Sequence, residues 1–262
     1  MEKGNNRALQ IERGEYQGLL NIVRFNWPYY VLALSAVLIC IGSLALLEKG
    51  DHWVSYLILV LVIVPTTVSL LASHYIYDRA GLYQLNWLDE HSVKRNLSVL
   101  NVNAGYDEIS NIINQKFNKA NLKVCDFYEP ERHTEKSIKR ARKVYQPYPE
   151  TTRTKSTSLP FPSENFDVIC VMFAAHEIRD AEERIRFLQE LRRVCKTNGS
   201  LFITEHLRDS INFCAYTIGF LHFYSRRTWL RNFSAAKLKL RREIKSTPFV
   251  STFILNRHGI SS

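Results

Sequence analysis

Two pairs of ionisable residues follow apolar runs in the second half of the chain. His176 and Glu177 come just after the run 166–173, and Glu205 and His206 follow the next apolar run. A histidine titrates near neutral pH, so His176, with Glu177 beside it, could act as a general base toward a hydroxyl or enol group. A structural role, as a helix N-cap or in a hydrogen bond between loops, is an open alternative for each residue.

The segments that must position these residues alternate in type. Short apolar runs predict strands, and amphipathic or charged stretches between them predict helices. The strand candidates are 97–102, 122–127, 166–173, 201–204, 238–244 and 250–255, and the helix candidates are 108–119, 133–145 and 181–196. Asn198 and Gly199 are expected to stop the third helix. This alternation favours an α/β fold with a mostly parallel sheet and helices on both faces, in which polar residues beyond the strand ends are placed for function.

Two uncharged blocks near the N-terminus, Trp27–Leu47 and Trp53–Ser73, are long enough to cross a membrane. A helix rising about 1.5 Å per residue spans about 31 Å over either block, which matches the hydrocarbon thickness of a bilayer. The sequence predicts a two-helix transmembrane hairpin within 27–77. A cleaved signal peptide and a buried hairpin of a globular protein are the alternatives, and Leu47–Lys49 offers no small-residue cleavage site.

The distribution of basic residues predicts the orientation of this hairpin. Lysines and arginines precede the first span and follow the second, whereas the connecting turn contains only Lys49. By the positive-inside rule, both ends face the cytoplasm. We therefore expect an integral membrane protein with a cytoplasmic N-terminal segment 1–26, a stretch 78–96 that is an interfacial linker or a lid, and a cytoplasmic domain 97–262.

The chain has 35 Lys+Arg against 25 Asp+Glu, a formal net charge of +10, and a hydrophobic content of 46% that excludes a disordered chain. The segments 132–143 and 226–245 together carry more net positive charge than the whole chain. Beside a membrane, such segments are attracted to anionic lipid. Binding to nucleic acid and simple solvated helix faces are the alternatives, and a membrane tether makes nucleic acid the weaker of the two.

Other chemistries lack their signatures. The five cysteines are odd in number and far apart, with no Cys-x-x-Cys pair, which argues against a disulfide framework or a zinc site and favours small buried apolar residues. The sequence has no P-loop, no Gly-x-Ser-x-Gly elbow, no His-Glu-x-x-His pair and no Tyr-x-x-x-Lys pair. No metal site is predicted.

Two segments of the sequence carry a family resemblance. Residues 159–169 read Leu-Pro-Phe-Pro-Ser-Glu-Asn-Phe-Asp-Val-Ile, and residues 187–201 form a helix, a glycine turn and a strand start. With the strand and helix order, they resemble class I S-adenosylmethionine-dependent methyltransferases over about 97–256, closest to the ubiquinone/menaquinone methylase-like branch. The resemblance implies a Rossmann-like fold, S-adenosylmethionine as cofactor and methyl transfer.

The first cofactor loop departs from the family. The family has an acid at the end of the first strand and three spaced glycines, whereas this chain has Asn101 for the acid, Asn103 for the first glycine and Asp107 for the third, and keeps Gly105. Asn and Asp tolerate left-handed backbone angles, so the turn can keep its shape. The resemblance implies that Asn101, Asn103 and Gly105 approach the cofactor, with Asp107 adding negative charge near its amino-acid end.

Further cofactor contacts follow from the same resemblance. Asp126 matches the acid that accepts hydrogen bonds from the ribose hydroxyls, with Glu129 as the alternative if the strand ends later, and a solvated loop acid as the structural alternative. Ser158 and Leu159 correspond to the loop over the adenine, or form a plain turn. Phe173 follows the fourth strand, where the family places residues that face the cofactor and acceptor.

Two hypotheses of function result. The first is a membrane-anchored methyltransferase that acts on a lipophilic or membrane-proximal small acceptor, with His176 and Glu177 as candidate catalytic residues. The second is a methyltransferase-fold protein that has lost catalysis and serves as a binding or scaffold module at the membrane. The replaced loop residues Asn101, Asn103 and Asp107 motivate the second hypothesis.

Overall fold

The computed structural model describes residues 13–46, 52–89, 96–117, 120–133 and 135–257. The N-terminal part is helical: α1 is Gln17–Phe25, α2 is Trp27–Leu46 and α3 is Trp53–His74. Helices α2 and α3 pack against each other, with the hydroxyl oxygens of Ser43 and Ser55 2.8 Å apart. Residues 47–51, which connect the two predicted spans, lie outside the described residues.

Helices α2 and α3 carry apolar side chains on almost every face. Within the described chain, these are the two helices that are long and apolar enough to cross a membrane. Their large apolar side chains are mostly exposed, with Leu32 69%, Ile39 71% and Leu61 62% exposed. These helices are therefore not the buried core helices of a globular domain.

After α3 the chain packs onto the domain that follows. A π-helical turn spans Tyr75–Arg79, and 3₁₀ turns span Leu82–Gln84 and Asn86–Leu88. The side chains of Leu85 and Leu88 are fully buried in the apolar cluster beside the sheet. The described part of 78–96 thus covers the domain, and residues 90–95 lie outside the described chain.

Seven strands of the described chain form one sheet in the order β3-β2-β1-β4-β5-β7-β6. The register pairs β1 parallel to β2 and β4, and β4 parallel to β5; β7 runs antiparallel to both of its neighbours. The mostly parallel sheet of the sequence analysis is confirmed. The strands are β1 Ser98–Asn103, β2 Asn121–Asp126, β3 Thr152–Arg153, β4 Phe166–Met172, β5 Cys195–His206, β6 Lys239–Thr247 and β7 Val250–Asn256.

Helices cover both faces of this sheet. Phe187, Leu188 and Trp229 belong to the apolar cluster on one face, and Ile113 belongs to the cluster on the other face. An α/β fold with helices on both faces is confirmed. The helices of this domain are α4 Ser110–Lys116, α5 Lys136–Val144, α6 Ala181–Val194, α7 Ser210–Tyr216 and α8 Arg226–Ala235.

The predicted end of α6 was wrong. The helix ends at Val194, and Asn198 and Gly199 lie inside β5. Cys195 already has extended backbone angles, with φ −76° and ψ 132°, and its side chain is buried. The register with β4 shifts from Phe166↔Cys195 to Val168↔Ser200, so residues 196–199 form a bulge, and a Cβ at Gly199 would lie 2.9 Å from the Phe166 carbonyl oxygen.

The cysteines are mostly small core residues. Cys40, Cys125, Cys170 and Cys195 are buried free thiols, as the sequence predicts. Cys214, on α7, is exposed, and the prediction was wrong for this residue.

The sheet order creates a crevice between β1 and β4. These strands are neighbours, but the chain leaves them toward opposite edges of the sheet, to β2 from β1 and to β5 from β4. Such a reversal opens a crevice at the carboxyl ends of the two strands. The backbone N–H of Phe173 donates to the carbonyl of Thr204 at 2.9 Å, which fixes the loop after β4 beside β5. Functional side chains are therefore expected beyond Asn103 and Met172.

Candidate functional site

The loop after β1 is held by side-chain hydrogen bonds. The Asn103 side-chain oxygen accepts from the Gly105 N–H at 3.0 Å, and buried Asn101 donates to Ser110 Oγ at 2.8 Å. Gly105 has a φ of +96°, a conformation that L side chains rarely adopt. The two asparagines thus hold the turn through their side chains and not through left-handed backbone angles as predicted, because the positive φ of this loop belongs to Gly105.

Asp107 has a different place from the one predicted. Its Oδ1 accepts hydrogen bonds from the N–H groups of Ile109 and Ser110 at 3.1 and 3.0 Å, and from the Asn101 side chain at 3.1 Å. Burial raises the pKa of the Asp107 carboxyl, against the effect of these bonds. The carboxylate therefore stabilises the start of α4, which explains an acid at this position.

Asp126 ends β2, and it is held by an arginine. Its Oδ1 accepts from the Tyr128 N–H at 2.9 Å, and its Oδ2 lies 2.6 Å from Nη1 of Arg142 on α5. The same Nη1 donates to the Gly105 carbonyl at 3.1 Å. A Cβ added at Gly105 would lie 2.9 Å from this Arg142 nitrogen and from Tyr128 Cγ. One guanidinium therefore joins the two strand ends where the cofactor was predicted.

Helix α1 lies over the same strand ends. Phe25 makes an edge contact with Tyr106 at 5.7 Å between ring centroids, and the Asn21 side chain donates to the Tyr106 hydroxyl at 2.9 Å. Arg140 of α5 donates to the Phe25 carbonyl at 2.5 Å, and Tyr145 donates to the Asn21 side chain at 2.9 Å. Helices α1 and α5 form a cover over the β1 loop.

Other predicted cofactor residues lie apart from this cluster. Ser158 is exposed in a turn, where its carbonyl accepts from Thr154 Oγ1 at 2.7 Å. Leu159 is buried in the core, and its N–H donates to Glu190 at 2.9 Å. Because β2 ends at Asp126, Glu129 lies three residues beyond the strand and is not its terminal acid.

A cavity of about 760 Å³ opens beside the carboxyl ends of β4 and β5. One wall comes from the sheet domain and includes Phe173, His176, Glu177 and His206. The facing wall comes from α1, α2 and α3 and includes Phe25, Tyr29, Tyr30, Pro65, Thr66, Ser69 and Ser73. The cavity therefore joins the strand ends to the long apolar helices.

Phe173 and His206 make an aromatic wall of this cavity. Phe173 has a φ of +49°, which turns the chain sharply after β4, and its ring stacks on His206 at 4.9 Å between centroids. His206 also stacks on Phe223 at 4.8 Å. The Tyr77 hydroxyl lies 2.8 Å from His206 Nε2, and burial lowers the pKa of His206 to about 4. His206 is therefore a neutral aromatic surface at physiological pH.

His176 lies between two carboxylates. Its Nδ1 is 2.6 Å from Glu205 Oε2, and its Nε2 is 3.1 Å from Glu177 Oε1. Burial disfavours the imidazolium, yet the Glu205 and Glu177 carboxylates raise the pKa of His176 well above its ordinary value. With both nitrogens engaged in this way, His176 donates on both sides and has no free lone pair for a substrate proton.

Glu177 is the carboxylate at the centre of this group. Its Oε1 accepts from the rings of His176 and His222, and these hydrogen bonds hold the pKa of the Glu177 carboxyl well below its usual range despite burial. His222 Nε2 lies 2.9 Å from Glu135 Oε2, and its pKa is raised against burial by the bonds to Glu135 and Glu177. Glu135 and Glu177 thus place two carboxylates beside the cavity, each hydrogen-bonded to a histidine ring.

Sequence reasoning missed Glu135, His222 and Arg142 as site residues. Glu135 lies just before α5, and His222 follows α7 in a 3₁₀ turn, far along the chain from His176. No spacing connects these residues, because the sheet topology alone brings them together. Arg142 lies in the basic segment 132–143, and nothing in the sequence indicates that it pairs with Asp126. A second cavity of about 490 Å³ borders Glu135, Glu177, Arg179 and His222.

A comparison with protein families gives a match within this domain. The family described as "Methyltransferase domain" matches residues 100–203, from β1 into β5. The matched segment contains Asn103, Gly105, Asp126, Phe173 and His176. The loop after β1, the acid at the end of β2 and the end of β4 therefore lie within the matched segment.

A curated methyltransferase is similar to a short part of this chain. The chain is 39% identical over 49 residues to the uncharacterized methyltransferase YcgJ of Bacillus subtilis (strain 168). That match spans 19% of this chain and 18% of the relative, so the chain matches less than a fifth of the relative's length.

A solved structure shows the same fold. A SAM-dependent methyltransferase from Aquifex aeolicus superposes with a TM-score of 0.51 at 18% identity, over 73% of this chain and 97% of that chain. At this identity the likeness concerns the fold. The sheet domain therefore has the fold of class I S-adenosylmethionine-dependent methyltransferases, and residues 100–203 match the methyltransferase-domain family. Both findings support S-adenosylmethionine as the cofactor.

Proposed function

We propose that this protein is a membrane-anchored methyltransferase that acts on a lipophilic or membrane-proximal small acceptor. The observation that carries the proposal is the cavity of about 760 Å³, whose walls come both from the strand ends and from the apolar helices α2 and α3. An acceptor that dissolves in a bilayer would enter between Tyr30 and Ser69 and reach Phe173 without crossing water. Ligand sites are commonly concave, mostly apolar pockets of this size.

The residues at the strand ends fit the nucleoside part of S-adenosylmethionine. Asp126 is a buried carboxylate at the end of β2, and the space beside Gly105 at the end of β1 is filled by Arg142 and Tyr128, which would have to move for a cofactor to approach. The bound cofactor would supply an activated methyl group on a sulfonium. Asp126 would accept hydrogen bonds from the ribose hydroxyls once Arg142 leaves it, and Asn103 would keep the loop in place.

The residues of this chain mainly align the methyl donor with the acceptor and exclude water, and they contribute less to proton transfer. Methyl transfer from a sulfonium requires that donor and acceptor be held in line in a site that excludes water. Phe173 and His206 supply a stacked aromatic wall for that purpose. His176 and Glu177 stay candidate catalytic residues, although neither is well suited to remove a proton: His176 already donates to two carboxylates, and the lowered pKa of Glu177 makes its carboxylate a weak base.

The surface supports the membrane anchor. Beyond α2 and α3, the segment of α7 and the 3₁₀ turn after it exposes apolar side chains next to α3, with Ile218 80% and Leu221 56% exposed. Contiguous exposed apolar surface marks a membrane or protein contact. The basic segments 132–143 and 226–245 would then meet anionic lipid, except where Arg142 is used inside the protein.

Transfer of a labelled methyl group tests the function. Membranes that contain the full-length protein are incubated with methyl-labelled S-adenosylmethionine, and lipid-extractable and aqueous fractions are counted separately. We expect label in the lipid-extractable fraction, a reduction of at least about tenfold with Asp126→Ala, and near wild-type transfer with Glu129→Ala, the matched acid outside the strand end. Label no higher than in membranes without the protein would refute the proposal.

One observation favours the second candidate, a binding or scaffold protein without catalysis. Arg142 pairs with the carboxylate that would hold the ribose, at 2.6 Å. If this pair is permanent, S-adenosylmethionine is excluded. Equilibrium binding of S-adenosylmethionine to the full-length protein in detergent separates the candidates, because the scaffold protein shows no saturable binding up to millimolar cofactor.

A further inference from the structure

We propose that Glu135, His176, Glu177 and His222 form a binding site for a divalent transition-metal ion, with Zn²⁺ as the ion that the donor set fits best. One possible ligand atom from each of these side chains lies within 4.8 Å of the others. Two imidazole nitrogens and two carboxylate oxygens are donors that Zn²⁺ accepts in a tetrahedral site.

The separations between the donor atoms have the size that such an ion requires. Ligand atoms about 2.0–2.1 Å from a tetrahedral ion lie about 3.3 Å from one another. Here His176 Nε2 is 3.1 Å from Glu177 Oε1, and His222 Nε2 is 3.2 Å from the same oxygen. His222 Nε2 is also 2.9 Å from Glu135 Oε2. Small movements of these side chains would therefore admit an ion between them.

A further residue orients one ligand. Metal-binding histidines usually donate their other ring nitrogen to a carboxylate, which fixes the ring and raises its basicity. Glu205 is this carboxylate. Its Oε2 lies 2.6 Å from the ring Nδ1 of His176, and its Oε1 accepts from the backbone N–H of His176 at 3.2 Å. Glu205 is 1% exposed, so a buried carboxylate on β5 turns His176 Nε2 toward Glu177.

The negative charge at the group comes from three carboxylates, Glu135, Glu177 and Glu205, which converge on two histidines. An ion would have to displace the protons that the histidines donate to these carboxylates. The wall of the second cavity beside the group is basic, with Arg132, Lys136, Arg140 and Arg179. Arg179 Nη1 donates to the His222 carbonyl at 2.7 Å, and its Nη2 lies 2.5 Å from His222 Nε2, the proposed ligand atom. This contact is exposed, and the guanidinium nitrogen must move off the ring before an ion binds to it.

The place of the site gives the ion a role. Glu177, His222 and Glu135 border both the larger cavity and the second one. An ion held by these four side chains would have to expand to five ligands to take an oxygen or sulfur of a molecule in the cavity, and it would favour the deprotonated form of that group. This role rests on the proposed methyl transfer, in which the ion would hold the acceptor atom. The binding of the ion itself does not depend on the proposed methyl transfer.

Metal titration of the full-length protein in detergent tests the site without cofactor or acceptor. After treatment with a chelator, Co²⁺ is added, the visible absorption of tetrahedral Co²⁺ is recorded, and Zn²⁺ is added to displace it. We expect one saturable Co²⁺ site that Zn²⁺ displaces. His222→Gln and Glu135→Gln should weaken binding at least about 100-fold, and Glu205→Gln about 10- to 100-fold. His52→Gln, at the start of α3, should bind as the wild type does.

Two results would overturn the proposal: no saturable Co²⁺ binding by the wild type below about 1 mM, or wild-type affinity in both His222→Gln and Glu135→Gln. Thermal unfolding of each variant shows whether it is folded, and Glu135, which is partly exposed, decides the matter if His222→Gln unfolds. Metal binding without methyl transfer would leave this site intact and refute the proposed function alone.

Discussion

Arg142 Nη1 lies 2.6 Å from Asp126 Oδ2, although the two residues belong to different elements, the helix α5 and the end of β2. The same nitrogen reaches the Gly105 carbonyl at 3.1 Å. One side chain thus holds together the carboxylate and the glycine turn to which the family resemblance assigns cofactor contacts. If S-adenosylmethionine binds there as proposed, it must compete with a charge-assisted hydrogen bond, which contributes about 1.5–3 kcal/mol.

We predict that Arg142→Gln tightens the binding of S-adenosylmethionine. Loss of the competing guanidinium frees Asp126 for the ribose, and about 1.4 kcal/mol corresponds to a factor of ten, so the dissociation constant should fall about tenfold or more. Isothermal titration of the full-length protein in detergent measures it. Lys143→Gln, an exposed neighbour on the same helix, removes the same charge and should leave affinity within about twofold. Weaker binding by Arg142→Gln would show that the arginine helps to hold the cofactor.

Helix α1 depends on a close approach to the turn after α3. The Gly18 N–H donates to Asp78 Oδ1 at 2.6 Å, and a Cβ at Gly18 would lie 2.3 Å from Tyr77 Cβ. Gly18→Ala should therefore cost about 1–3 kcal/mol and loosen α1 over Tyr106. Amide hydrogen exchange in residues 19–25 and thermal unfolding measure the effect.

Gly14→Ala is the matched control for α1. Its added Cβ would have Gln17 Cβ as the nearest atom, at 3.9 Å, which is ordinary contact. This variant should unfold within about 0.5 kcal/mol of the wild type. Equal exchange rates in Gly18→Ala and Gly14→Ala would show that α1 is not held by the contact at Gly18.

The fold could be predicted because burial has a clear sequence pattern. β1 and β4 lie in the middle of the sheet and read as apolar runs, and their observed ends lie within one residue of the predicted ends. β5 also lies in the middle, but it begins at Cys195, six residues before the predicted run 201–204. The end of α6 could not be predicted, because a glycine after a helix is an ambiguous signal. Gly199 reads as a helix stop but lies in a strand.

The candidate site could be predicted only where one residue at a strand end carries the signal. The family resemblance points to Asp126 and Phe173 because they lie at the ends of predicted strands, and the structure places Asp126 at the end of β2 and Phe173 just after β4. Arg142 and His222 were not found, because their roles depend on distances to residues that are remote in sequence. An arginine among other basic residues looks solvated until the tertiary structure pairs it.

His206 predicts how stability depends on pH. Burial lowers its pKa to about 4, and the unfolded chain has the ordinary value near 6.5. The unfolded chain therefore binds more protons between these values, so the free energy of unfolding should fall by about 3 kcal/mol as the pH drops from 6.5 to 4. Chemical unfolding in detergent across that range measures the slope. His206→Gln cannot titrate, so its slope should be flatter, and an unchanged slope would contradict this assignment.

Labelling of a single cysteine tests the cytoplasmic location of the domain. Cys214 is the exposed thiol among the described cysteines, so Cys214→Ser removes its background, and Lys155→Cys adds a thiol at an exposed turn of the sheet domain. If both ends of the hairpin face the cytoplasm, a membrane-impermeant maleimide should label this variant only after the cells are permeabilised. Cys214→Ser alone should stay unlabelled in either case, because the other described thiols are buried. Labelling of Lys155→Cys in intact cells would place the domain outside and reverse the predicted orientation.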